Sequence, residues 1–471
     1  VNFVALLHRA EMQKLRRYTQ AKAFRRASRM QVIYKEVEMC TLTKDTGCSP
    51  DFLKAVDMGR PPNVARLFPN SRALLVSGKV IDRAMIAKGN AIAMAANGRN
   101  VFVIRGVLKA AQRANAAVII EIAKSEGGAK AYCAVNYWNM ALHVDAICNE
   151  LGITVPVAIH ADHYGIKNEK DLETARVEIP TMFDAGITSI AIDASHLPDD
   201  RNLLAGIALN PHVPSWAGLE TEVGEIKGAA GLSTVEEALF LVRGMNAHGI
   251  FPDWIALNNG TTHGIEASAQ GIQVDLTADI HRALEKYGLS GAQHGTSGNS
   301  SDRLREIAAR TRTTKANVAT ALQMVSWGLR VNDYGNAILD DNGRFIKEKD
   351  RGMSDGLWEE ITAYADSKGY KPGDYKNLNL PFENRLLSQP RELRERMVAG
   401  VEEFAYGMMT EVFNARDTAP LAVEAILKAG SHDLGPKAAR IEDQCQWTEA
   451  MIAEMAASIT SDKGPAGHFD D

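Results

Sequence analysis

VPVAIHADHYG, residues 155–165, sets the reading of the chain. Val155 to Ile159 is a short apolar run suited to a buried strand, and it runs out on His160, Asp162 and His163. Polar groups gathered where a buried strand ends are what a barrel active site is built from. Asp162 and His163 are adjacent, so in a regular strand their side chains diverge. They meet at one centre only if the strand end bends or the chain enters a loop. An acid beside a metal-ligand candidate points to metal-assisted proton transfer. Taken alone, the same trio would also suit a surface loop.

Working outward, a rhythm of such runs decides between the two. Apolar runs suited to buried parallel strands stand at Ala91–Asn97, Ala117–Ala123, Val155–Asp162, Ser189–Ser195, Gly218–Gly224, Trp254–Gly260, Leu289–Gly295 and Thr313–Thr320. Helical patterns fill gaps between them, among them Val101–Ala116, Asp171–Ala185, Val235–His248, Ala278–Tyr287 and Ser301–Ala309. Repeated strand–helix units over residues 88–330 predict an α/β fold, a (β/α)8 TIM barrel, whose usual size is about 250 residues. A doubly wound sheet would carry a glycine-rich phosphate turn after its first strand, and NGRNVF is not one. Residues 1–87 read as an N-terminal helical arm broken at Pro61-Pro62, and residues 331–471 as a C-terminal loop and helical extension.

Composition narrows the function classes. Of 471 residues, 45% are hydrophobic and 24% charged, an ordinary globular balance. A net charge of -5 gives no signal for nucleic acid or an anionic membrane. The sequence has no apolar run long enough to span a bilayer. Five cysteines without CxxC spacing read as reduced thiols of a cytoplasmic protein. The first thirty residues are basic, a composition shared by organellar targeting peptides, and are read instead as a helical arm packed on the barrel or on another subunit. The chain opens on Val rather than Met, as a trimmed start would.

The C-terminal ends of barrel strands share one face. The third strand brings Asp162 and His163 there, the fifth Glu220 and Glu222, the sixth runs into NNGTTHG with His263, and the seventh ends at His294. Three imidazoles with one open position make a catalytic zinc site, and imidazole also suits other first-row metals. Gly295-Thr296-Ser297-Gly298 follows the seventh strand, and Asn317 and Thr320 close the eighth, where this fold usually binds phosphate. Ser125-Glu126-Gly127-Gly128 after the second strand is a candidate for a second anionic group. A metal, an acid and a phosphate anchor together describe reversible carbon–carbon cleavage in a ketose phosphate. A Schiff-base lysine, Lys124 or Lys315, is the rival for that reaction but leaves three histidines without a task.

These residues resemble the class II, metal-dependent fructose-bisphosphate and tagatose-bisphosphate aldolases. IHADHY (159–164) resembles the family's H-x-D-H signature, and LETEVG (219–224) its E-x-E-[LIVM]-G signature. NGTTHG (259–264) and QHGTSG (293–298) resemble the segments holding its second and third zinc histidines, and IDASHLP (192–198) and NVAT (317–320) are similar too. The resemblance implies that His163, His263 and His294 bind zinc, one Zn2+ per chain, with Glu222 a carboxylate able to approach it. It implies Asp162 as the acid/base at the aldehyde half, and Gly264, Gly295, Ser297, Thr320 and Ser125 around the phosphate of dihydroxyacetone phosphate. Asn317 would contact the enediolate. Family members commonly form dimers or tetramers and often bind a monovalent cation near the phosphate.

The sequence departs from the pattern in places. No glutamate securely matches the proton-abstracting residue of the mobile loop; Glu225, Glu236 and Glu237 are candidates. Ala267 stands where many members have lysine, and Tyr164 replaces a small residue. The expectation is a cytoplasmic zinc-dependent aldolase and homo-oligomer acting on fructose 1,6-bisphosphate. A tagatose-type substrate is the enzymatic alternative, and a non-catalytic partner subunit that keeps the barrel is the alternative of another class. A metal-dependent hydrolase would need an H-x-H at the first strand end, and residues 91–99 hold no histidine.

Overall fold

The computed structural model describes residues 49–224, 230–261, 271–296, 299–332 and 335–461. Eight parallel strands close into a barrel: β1 (Ala93–Asn97), β2 (Val118–Ala123), β3 (Val157–Gly165), β4 (Ser189–Asp193), β5 (Gly218–Val223), β6 (Trp254–Leu257), β7 (Ser290–Gln293) and β8 (Thr313–Val318). Each pairs with its sequence neighbour, and β8 returns to β1 through Ala93 opposite Lys315. Seven of the eight predicted runs contain their strands. The boundaries shift most at β3, which ends three residues later than the expected Asp162. All strand residues but Gly165 at the end of β3 are buried, because helices cover their outer faces and side chains fill the interior.

The base of the barrel is closed by the helix Gly78–Lys88. A Cβ on Gly78 would lie 2.6 Å from Ser189 Oγ and 2.9 Å from the Trp254 ring, so only glycine lets this backbone reach the strands. Asp82 accepts from Thr314 Oγ1 of β8 at 2.7 Å. From the far end of the chain, Lys437 donates to Asp82 Oδ2 at 2.6 Å, to the Asp253 carbonyl and to Ser290 Oγ. A buried ionic cluster thus fastens the C-terminal region to the barrel base.

That region is helical, with Asp355–Lys368, Asn379–Leu387, Arg391–Gly407, Ala419–Ala429 and Glu449–Ala457. Arg391–Gly407 lies against the barrel helix Val101–Ala114, where Gly106 would place a Cβ 2.5 Å from Val401 Cβ. Phe102, Met324, Trp327, Phe345, Trp358 and Tyr375 belong to a second apolar core beside the barrel mouth. Among the described residues no helix is long and apolar enough to cross a membrane. Residues 1–48, which carry the basic arm of the sequence reading, lie outside the described residues.

One buried histidine gives the fold a testable pH dependence. His281 packs on β7, where its Nδ1 accepts from Arg312 N at 3.2 Å. Burial, then the Arg312 charge, push it down to about 4. Its unfolded value is about 6.5. Above that pH both states are neutral; below it the unfolded chain takes a proton that the native chain refuses, so stability falls as pH drops toward 4. Between pH 7 and 5 this one group should remove about 2 kcal/mol. Urea midpoints measured across that range should fall less steeply for His281→Asn than for the parent. Parallel curves would exclude His281 as the source.

Candidate active site

The third strand solves its own stereochemical problem. Pairing between β3 and β4 slips between Ala161 and Tyr164, and His163 sits at φ +41°, a left-handed conformation rare for a side chain of this size. The irregularity lets His160, Asp162 and His163 all lie buried among the inward-facing residues of the barrel. Tyr164 is buried as well; its hydroxyl donates to Glu178 at 2.6 Å, and Tyr137 donates to the Asp162 carbonyl at 3.0 Å.

Two layers of polar groups fill the upper barrel. In the lower layer, Lys315 of β8 is completely buried. Its Nζ lies 3.1 Å from Glu121 Oε2, 3.0 Å from Glu220 Oε2 and 3.2 Å from Asp162 Oδ1, and donates to Asn317 Oδ1 at 2.8 Å. Burial alone would lower Lys315, but Asp162, Glu121 and Glu220 hold it well above its ordinary value, so it stays an ammonium. Burial would raise Asp162 and Glu220, and the Lys315 charge holds both well below the carboxylate range. Glu121 is pushed up to about 8 by burial and then by Asp162, with the Lys315 charge opposing both. His160 joins this layer, with Nδ1 2.8 Å from Ser189 Oγ.

Above it, His163 and His294 meet edge to face with ring centroids 4.1 Å apart. His294 Nε2 lies 2.7 Å from Glu220 Oε1. An ionised carboxylate only accepts, so Nε2 carries the hydrogen and Nδ1 keeps its lone pair. Nδ1 is buried, makes no hydrogen bond, and lies 3.7 Å from Glu222 Oε2. Burial, then His163, push His294 down to about 4, so the ring is neutral at pH 7. His163 Nδ1 lies 3.1 Å from Glu222 Oε1 and 3.5 Å from Asp193 Oδ2. Burial, with Asp193 second, raises Glu222 well above the ordinary range.

This donor set fits a divalent metal. One ligand atom each from Asp162, His163 and His294 lie within 4.8 Å of one another, and a second such group joins His163, Asp193 and Glu222. A neutral, oriented imidazole with a bare nitrogen, backed by a carboxylate, is the usual form of a metal-ligating histidine. His263, Gly264 and Ser297 of the sequence reading lie outside the described residues, as does Glu225.

The remaining expected residues fall around the mouth. Gly295 has φ +59°, and Thr296 donates to the Asn317 carbonyl at 2.5 Å, joining the ends of β7 and β8. Asn317 donates from Nδ2 to Asp162 Oδ2 at 2.9 Å, which leaves one amide N–H for a substrate. Thr320 opens the helix Thr320–Trp327 and is half-buried. Ser125 is exposed on the short helix Lys124–Gly127 after β2.

Two candidates are redirected. Glu237 accepts from Thr234 N and Oγ1 and caps the helix Val235–Ala247, so it is not a free base. The Schiff-base rival also fails on these contacts. Lys315 is held as an ammonium, and Lys124 donates to the Gly165 carbonyl at 2.6 Å over the face of Tyr164. Sequence reasoning missed Glu121, quoted Asp193 within IDASHLP without giving it a role, and took Lys315 only as a nucleophile. The signal was there for two of them: a glutamate within VIIEIA and a lysine within TTKANV stand mid-strand in buried runs, where a charge needs a partner.

Residues 79–368 match the family model described as fructose-bisphosphate aldolase class II. The fructose-bisphosphate aldolase of Streptococcus pyogenes serotype M6 is 30% identical over 244 residues, 48% of this chain and 73% of that protein. That of Staphylococcus aureus strain N315 is 35% identical over 137 residues, 28% of this chain and 42% of that protein. The matched segment therefore spans less than half the length of the staphylococcal relatives. Among solved structures, the YdjI aldolase of Escherichia coli K12 has 17% identity and a TM-score of 0.49, covering 73% of this chain and 99% of that one. The Campylobacter jejuni fructose-bisphosphate aldolase has 18% identity and a TM-score of 0.47, covering 74% and 97%.

Proposed function

Because this chain belongs to the class II fructose-bisphosphate aldolase family, we propose that it is a zinc-dependent carbon–carbon lyase. It reversibly cleaves a ketose bisphosphate, fructose 1,6-bisphosphate first, to dihydroxyacetone phosphate and glyceraldehyde 3-phosphate. The observation that carries the metal half is His294, locked by Glu220 with a bare, buried Nδ1 on the side of Glu222, in a ring grouped with Asp162 and His163. His163 and His294, with His263, hold the zinc, and Glu222 is the carboxylate that approaches it. Bound zinc supplies Lewis acidity to the carbonyl and hydroxyl oxygens at the cleaved end of the ketose.

The chain's own residues do the rest. Asp162, kept ionised by Lys315 and Asn317, takes the C4 hydroxyl proton as the C3–C4 bond breaks, and returns it in condensation. The bonding pair stays on the former C3, in the dihydroxyacetone phosphate half, which is then protonated there; with Glu237 spent as a cap, Glu225 and Glu236 remain as donors. The free N–H of Asn317 lies beside Asp162 and serves the enediolate oxygen. Gly264, Gly295, Ser297, Thr320 and Ser125 surround the phosphate, with a monovalent cation beside it. The protein works in the cytoplasm as a homo-oligomer.

Zinc content measured alongside fructose 1,6-bisphosphate cleavage tests the reading. About one metal per chain is expected, with activity lost to EDTA and restored by Zn2+. Bound metal with cleavage only of tagatose 1,6-bisphosphate would change the substrate and keep the site. Turnover that survives verified metal removal would overturn the mechanism.

A further inference from the structure

Arg99 follows β1 at the barrel mouth and is only 5% exposed. Its Nε and Nη2 lie 2.7 and 2.6 Å from Glu126 Oε1. Glu126 is itself fixed from two further sides: Ala123 N donates to its Oε2 at 3.0 Å, and the Tyr132 hydroxyl to its Oε1 at 3.3 Å. One edge of the guanidinium is therefore anchored, and the remaining nitrogen, Nη1, is aimed across the mouth at the helix Thr320–Trp327 after β8. There it donates to Gln323 Oε1 at 3.0 Å and, at the long limit of 3.4 Å, to Thr320 Oγ1. Gln323 is held in that orientation because its Nε2 donates to the Tyr375 carbonyl at 3.2 Å, in the C-terminal region. A second tie runs alongside, from Leu380 N to the Tyr132 carbonyl at 3.0 Å.

The chemistry at Thr320 follows from the donor inventory. A threonine hydroxyl has one hydrogen to give and two lone pairs, whereas arginine can only give. When Arg99 occupies a lone pair of Oγ1, the hydroxyl hydrogen must point away from the guanidinium. The same contact polarises the O–H, so it becomes a better donor to an anion.

We propose that Arg99 is a positioning residue for the substrate phosphate, acting through the Thr320 hydroxyl, and that the C-terminal region sets its aim through Tyr375 and Gln323. This rests on the reading of Thr320 as a phosphate ligand. It makes the extension part of what selects a phosphorylated ketose. Two exposed arginines of that extension do other work: Arg385 pairs with Glu360 and Arg391 with Glu395.

The test is calorimetric titration of the zinc-loaded full chain with dihydroxyacetone phosphate, with steady-state kinetics on fructose 1,6-bisphosphate. Arg99→Lys keeps the charge beside Glu126 but loses the fork. The pair Arg99→Met with Glu126→Leu removes both charges together, which a purely structural ion pair tolerates. Each should bind dihydroxyacetone phosphate roughly tenfold more weakly, the scale of one lost hydrogen bond to a charged group, with KM rising by a like factor and kcat within about twofold. Combining Arg99→Lys with Thr320→Val should weaken binding no more than Thr320→Val alone, because the two act as one unit. Parental affinity in either folded Arg99 variant, with Thr320→Val still weakened, overturns the role of Arg99 alone. No weakening by Thr320→Val, or no binding by the parent, overturns the phosphate reading and this inference with it.

Discussion

A Lys315→Met variant is expected to lose about 3–5 kcal/mol of stability, the cost of leaving buried charges without their partner. The ammonium sits at the centre of the barrel with Asp162 and Glu220 ionised around it and Glu121 beside it. Methionine fills a similar volume, so packing alone would tolerate the change. The cost is electrostatic. Both carboxylates would remain in an interior that water does not reach, and each would have to take up a proton or drag solvent into the core. Asn317, which accepts from Lys315 and donates to Asp162, would lose the contact that fixes its amide. The loss should show as a lower urea midpoint at pH 7.5 with an unchanged slope. A loss under about 1 kcal/mol would mean that the buried carboxylates relax by another route. The variant should also lose turnover, since Asp162 would no longer be held ionised.

The same cluster shows what the sequence could and could not disclose. Eight strands were legible because buried parallel strands are written as continuous apolar runs. Asp162, Glu222, His294 and Asn317 were legible because barrel chemistry collects at strand ends. The slip in β3 was not: nothing in HADHY announces that a histidine will adopt a positive φ. Lys315 was visible as a lysine inside a strand, but its partners come from β2, β3 and β5, and that convergence exists only after closure. Glu237 carried a local signal that was passed over, since T-V-E-E at 234–237 spells a capping box. Arg99 carried none; its partners are brought from the helices that follow β2 and β8.

Asp162→Asn should lower kcat by roughly 10^2 to 10^4, the usual scale of a lost general acid–base, while zinc content stays at the parental level. The metal half of this expectation follows from His163 and His294, whose partners Glu222 and Glu220 are untouched by the change. The catalytic half follows from Asp162 Oδ1 and Oδ2, the carboxylate oxygens that would take the hydroxyl proton; an amide has no such capacity near neutral pH. Hydrogen bonding adds a second, measurable signature. Asp162 accepts on both oxygens, from Lys315 and from Asn317. An asparagine there can accept on one side only. Turning its oxygen to Lys315 sets its NH2 against that of Asn317, and flipping Asn317 sets the displaced NH2 against the ammonium. One donor–donor clash survives every arrangement, so the variant should also be about 1–3 kcal/mol less stable. Metal analysis, single-turnover cleavage of fructose 1,6-bisphosphate and urea unfolding on one preparation separate these effects. Turnover within about tenfold of the parent, in a variant that keeps its zinc, would remove Asp162 from the proton-transfer role and send the search along the barrel mouth to Glu222, the other buried carboxylate beside both imidazoles.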